Sequence, residues 1–180
     1  MKKYSFVKSQ SRNGGFVLVV MSCLFAAFFI SGCGGYSNSL LYPEDIETVY
    51  VEMFDSKSFY RGIEYELTDA VAKRIEANTP YKIVSDRSKA DTVISGYISS
   101  ATRHLLTIER ETGRALEREA SLEAVVEWKN LKTGEMLINS KTVIASASYS
   151  EWQSQGFRYG YTLSANRLAE KIVELMEKPW

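Results

Sequence analysis

Histidine occurs once in the 180 residues, at His104, and cysteine twice, at Cys23 and Cys33. Any Ser/His/Asp or Cys/His catalytic system would have to use His104, which lies between Arg103 and Leu105, and no G-x-S-x-G elbow accompanies it. A structural or surface role suits that residue better. No H-E-x-x-H spacing and no glycine-rich phosphate loop occur, so neither a metal nor a nucleotide cofactor is expected. Proline appears only three times and no low-complexity tract interrupts the chain, which leaves little room for a long linker. Acidic residues are missing from the first 32 positions. No apolar run reaches the ~20 residues that a spanning helix needs.

What the N-terminus does contain is ordered. Lys2, Lys3, Lys8 and Arg12 precede the run FVLVVMSCLFAAFFI at 16–30, fifteen residues without charge. A basic start and an apolar stretch of this length are the parts of a secretory signal. The run ends in Ile30-Ser31-Gly32-Cys33, which resembles the bacterial lipobox: an aliphatic residue, two small ones and Cys. Small side chains are needed where a peptidase must admit an extended backbone. The resemblance implies a signal peptide at 1–32, cleavage before Cys33, and lipid on its sulfur and on the new amine. More than one acyl chain makes membrane anchoring stable. Gly34, where Asp would favour inner-membrane retention, points to the outer membrane.

Loss of Cys23 with the signal removes any thiol pair, so no internal disulfide is expected. Loss of the four basic residues leaves 18 Lys and Arg against 22 Asp and Glu, a formal −4. That balance argues against nucleic acid as a partner. A tether at 33–46, containing Gly34, Gly35, Ser37, Asn38 and Ser39, is expected to lead into a single domain at 47–178.

Within that domain, ETVYVEMF at 47–54 reads as a strand. Ile63, Leu67, Ala70, Val71 and Ile75 form one apolar stripe, predicting a helix over about 59–77, stopped by Asn78-Thr79-Pro80. A short strand at 81–85 follows. Extended segments are then expected at 91–110, 115–131 and 136–149, joined by ETGR at 111–114 and KTGE at 132–135. In the middle segment Leu116, Ala120, Leu122, Ala124, Val126 and Trp128 alternate with Glu117, Glu119, Ser121, Glu123, Glu127 and Lys129, with Val125 the exception. Such alternation marks a strand with one face in solvent. It also explains the glutamates more simply than an acid/base array. Ala165, Leu168, Ala169, Ile172, Leu175 and Met176 predict a last helix at 162–177. The expected fold is α+β, a two-layer sandwich of two helices on a mixed or antiparallel sheet of four to five strands with a long-stranded meander.

Two regions are candidates for recognition. Arg103, Arg110, Arg114 and Arg118 gather around the first hairpin and Lys132 stands at the next turn, and guanidinium groups pair well with phosphates. The alternative is that these charges only solubilise strand ends. The aromatic stretch 149–161, with Tyr149, Trp152, Phe157, Tyr159 and Tyr161, is either a contact surface or a cover for the core edge.

The ordered set of segments resembles the lipopolysaccharide-assembly lipoprotein family, LptE. The resemblance rests on Cys33-Gly34-Gly35-Tyr36 with Leu40, Leu41, Tyr42 and Pro43, on the strand Thr48-Val49-Tyr50-Val51-Glu52-Met53-Phe54, and on Leu67-Thr68-Asp69-Ala70-Val71. Thr79-Pro80-Tyr81-Lys82-Ile83-Val84, Ala90-Asp91-Thr92-Val93-Ile94-Ser95-Gly96-Tyr97-Ile98, the hairpin at 132–135, and Leu168-Ala169 with Ile172-Val173 complete it. It implies a non-enzymatic protein that plugs the outer-membrane β-barrel LptD, helps it assemble and contacts lipopolysaccharide. The resemblance also implies a lipid anchor to the membrane on the periplasmic side. Arg110, Arg114 and Lys132 are candidate contacts for lipid A phosphates. The rival expectation is a periplasmic interaction module, either a peptidoglycan-synthase activator or a TolB-like adaptor. About 13 residues between Cys33 and the first strand reach at most ~45 Å. A short tether of that kind favours the plug.

Overall fold

The structure, a computed structural model of the chain, describes residues 41–153 and 155–177. The signal at 1–32, Cys33 and the tether through residue 40 lie outside them. The described elements run β1 (Thr48–Val51), β2 (Asp55–Ser56), α1 (Ile63–Asn78), β3 (Lys82–Ile83), β4 (Thr92–Ile108), β5 (Ala115–Asn130), β6 (Met136–Ser150) and α2 (Phe157–Glu174). A 3-10 turn at Arg87–Lys89 joins β3 to β4. Six strands form one mixed sheet in the order β3-β1-β4-β5-β6, with β2 beside β4. The pairs β3–β1, β1–β4 and β2–β4 are parallel, and β4–β5 and β5–β6 are antiparallel. Two helices on a mixed sheet is the expected α+β arrangement.

The strand count exceeds four to five because 47–54 does not form one strand. β1 ends at Val51, and the chain leaves the ladder before Asp55 and Ser56 rejoin β4 at Tyr97 and Ile98. Phe54, fully buried, turns inward at that break. Its ring fits because residue 96 is glycine: a Cβ there would stand 2.8 Å from the ring and 2.3 Å from the Val125 carbonyl oxygen.

Helix α1 buries Ile63, Leu67, Ala70, Val71 and Ile75, the stripe read from the sequence. It starts four residues later than expected, because Gly62 takes a left-handed φ of 93° just before it. Helix α2 starts five residues earlier than expected. Phe157 and Tyr161 stack against each other at 4.8 Å and against Tyr60 at 4.7 and 5.2 Å, so the first turn docks on the lead-in to α1. The stretch 149–161 therefore divides. Tyr149 ends β6 inside the core, Tyr161 is buried on the helix, and Trp152 and Tyr159 face solvent.

Strand β5 buries Ala120, Leu122, Ala124, Val126 and Trp128 against the helices. On its other face, serines of the neighbouring strands donate to the glutamates. Ser99 Oγ bonds Glu123 at 2.9 Å, Ser146 Oγ bonds Glu119 at 2.7 Å and Ser140 Oγ bonds Glu127 at 2.5 Å. The acidic alternation is thus a hydroxyl-bonded outer face of the sheet. Among the described residues no group of His, Cys, Asp and Glu could hold a metal, and no helix is long and apolar enough to cross a membrane.

Candidate binding surface

The length of the β4–β5 hairpin positions the candidate residues. Seventeen residues in β4 span ~55 Å. The helices cover only part of that length. Ser164 of α2 donates to the Ala120 carbonyl at 2.8 Å, and a Cβ on Gly160 would meet the Tyr149 ring at 2.4 Å, so helix and sheet touch closely there. Arg103 lies opposite Ala120 in the β4–β5 register, with its guanidinium 5.5 Å from the Phe157 ring at the start of α2. Beyond this level five more residues of each strand project without a helix beneath them, an overhang of ~17 Å. Leu105, Leu106 and Ile108 are accordingly 52%, 50% and 51% exposed.

The tip is closed by Glu109 N–H donating to the Arg114 carbonyl at 2.8 Å and Gly113 N–H to the Glu109 carbonyl at 2.9 Å, with Gly113 at φ 68°. Arg110 and Arg114 are exposed on this tip, and the Arg114 guanidinium stands 5.8 Å from the ring of the exposed Trp152. Arg118 is held farther back by Glu151 at 2.5 Å. His104 sits on the overhang, where its ring nitrogen and the Thr102 hydroxyl lie 3.2 Å apart.

Lys132 belongs to the other end of the molecule. The structure places it in the β5–β6 turn, ~50 Å from the hairpin tip along β5. There its Nζ pairs with Asp91 at 2.5 Å, and the same carboxylate accepts the Glu47 and Thr48 backbone N–H groups at 2.9 Å each. The Lys132 ammonium, helped by those N–H groups, holds the Asp91 carboxyl well below the usual carboxylate range, and Asp91 in turn raises Lys132. Arg110 and Arg114 thus share one surface and Lys132 does not. Asp91 was no candidate in the sequence, since nothing in Ala90-Asp91-Thr92 shows that its side chain reaches across to β1.

A long hairpin thus overhangs the two-helix layer and exposes arginine and leucine together. The sequence model of the LptE lipopolysaccharide-assembly family matches residues 46–177. The chain belongs to this family. It is therefore a lipopolysaccharide-assembly lipoprotein of the Gram-negative envelope, in a family of assembly proteins rather than enzymes. No curated protein matches it. Among solved structures it is similar to an uncharacterized lipoprotein B from Nitrosomonas europaea at 14% identity, covering 78% of this chain and 88% of that one with a TM-score of 0.52. A hypothetical protein from Chlamydia trachomatis matches at 12% identity, 71% and 94% coverage and a TM-score of 0.51. A protein from Xanthomonas campestris matches at 11% identity, 74% and 85% coverage and 0.52. At these identities the likeness concerns the fold.

Proposed function

We propose that this LptE-family chain is an outer-membrane lipoprotein, anchored through lipid on Cys33, that plugs and helps assemble an LptD-type β-barrel exporting lipopolysaccharide to the outer leaflet. It works by fit and transforms no substrate. The observation that carries this reading is the overhanging β4–β5 hairpin, which offers a narrow projection with Arg110 and Arg114 at its tip. A projection of that shape can enter a barrel lumen while a lipid at residue 33 holds the base near the membrane. The hydroxyl-bonded glutamate face of the sheet is compatible with the polar interior of such barrels.

Arg110 and Arg114 are the proposed contacts for lipid A phosphates at the tip, and Lys132 is a separate contact at the opposite end. Replacing all three and finding lipopolysaccharide binding unchanged removes these assignments. Affinity purification of the chain from detergent-solubilised outer membranes tests the wider reading. Recovery of a lipopolysaccharide-export barrel is the expected result. Recovery of a cell-wall synthase or a Tol component instead overturns it in favour of the periplasmic interaction module.

A further inference from the structure

The two long edges of the sheet are finished differently. On β6 two backbone carbonyls are capped by side chains from α2: Arg167 donates to the Ser146 carbonyl and Lys171 to the Ile144 carbonyl, each at 2.7 Å. Caps of this kind stop a sheet from recruiting further strands. Along β4 the neighbours β1 and β2 end where Ser56 meets Ile98, and the last bond is from Lys57 N–H to the Ile98 carbonyl at 3.0 Å. Past that point no strand and no capping side chain meets the outer edge of β4 among the described residues. The stretch 99–108 contains neither the proline nor the lysine that commonly blunts such edges.

Two bulges mark off the usable part. Register with β5 slips between Ile98 and Ser100 and again between Leu105 and Thr107. Between them, residues 100–105 pair without interruption from Ser100 opposite Glu123 to Leu105 opposite Arg118. Six residues is the ordinary length of a strand. Ala101, Arg103 and Leu105 face the helix side, and Thr102 and His104 share the other face. We propose that the outer edge of β4 at 100–105 accepts an extended, acid-bearing segment of a partner protein as an added strand.

Charge selects this occupant. Arg103 meets the Phe157 ring but no carboxylate among the described residues. No acid occurs between 99 and 108. A second copy of this chain, paired antiparallel about Arg103 on the same edge, would set that guanidinium against its own counterpart, and like charges across a strand pair are unfavourable. A segment with Asp or Glu beside Arg103 and an apolar residue two positions along, beside Leu105, satisfies both side chains while its backbone completes the ladder.

The test uses the protein purified in detergent and the peptide Thr-Val-Thr-Glu-Thr-Val-Thr, with its Lys-for-Glu analogue as the control. Hydrogen exchange should show slowed amides within 100–105 on adding the Glu peptide, and fluorescence anisotropy should show the Lys peptide binding roughly fivefold more weakly, the order a cross-strand charge pair contributes. Arg103→Glu, checked for native circular dichroism, should reverse that preference. Several results overturn the proposal: no binding at millimolar peptide, equal affinity for both peptides, or protection outside 100–105. So do protection of the same amides in a peptide-free dimer, and protection by phosphatidylglycerol vesicles but not by peptide.

Discussion

Asp91 joins three parts of the chain that are far apart in sequence. Its carboxylate holds the first N–H groups of β1 and the Lys132 ammonium, and its carbonyl accepts Leu131 N–H at 2.8 Å. Because its folded-state pKa is depressed, the stability it contributes is present above the unfolded value of ~3.9 and is lost as pH falls through the folded value. Asp91→Asn should cost about 2 kcal/mol at pH 7, where charged hydrogen bonds are lost, and the gap from the parent chain should shrink steadily below about pH 4. Urea titrations at pH 7 and pH 3 measure both values. A gap that is the same at both would mean the charge contributes nothing. Gly96→Ala should cost about 1–3 kcal/mol in the same assay, since the added methyl meets the Val125 backbone as well as the Phe54 ring. At this scale the sequence was partly legible. The glycines of the two TG hairpins announced themselves through turn chemistry. Asp91 and Gly96 did not, since their roles depend on contacts across the sheet that a linear pattern does not encode.

Elements follow the same division. The stripes of α1 and α2 and the alternation of β5 were readable because burial on one face imposes a period. The ends of the helices were not, because Gly62 and the Tyr60–Phe157–Tyr161 cluster decide them through a left-handed residue and a tertiary contact. Nor could alternation alone tell that the outer third of β4–β5 has no helix beneath it. That overhang is expected to contribute little to folding. Excising 105–118 and bridging His104 to Glu119 with Asn-Gly should leave native circular dichroism and lower the melting midpoint by less than about 8 °C. On the proposed plug reading, the shortened chain should no longer recover a lipopolysaccharide-export barrel from solubilised membranes. Loss of fold on excision would instead place the hairpin in the core.

For the molecule as a whole, what matters is how the domain is held and what it can touch. Cys33→Ser should move the protein from the membrane fraction to the soluble or uncleaved pool, and intact-mass spectrometry should show the acyl chains gone. An unmodified thiol at position 33 in the parent chain would contradict the anchoring proposal. The lipobox-like stretch Ile30-Ser31-Gly32-Cys33 is a local pattern, so the sequence alone can suggest it, and it lies outside the described residues. The candidate contact surface was visible only as a scatter of arginines until the register of β4 and β5 gathered Arg110 and Arg114 and set Lys132 apart.

The unequal finish of the two sheet margins limits how such a protein can assemble. Fibrous growth needs two recruiting margins on every unit, so that each added unit presents a fresh one. Arg167 and Lys171 cap the β6 margin at Ser146 and Ile144, so a strand cannot be added along that stretch. Copies crowded together, as the proposed lipid on Cys33 would crowd them on a membrane, therefore lack a second recruiting margin along that stretch and resist running together into fibrils.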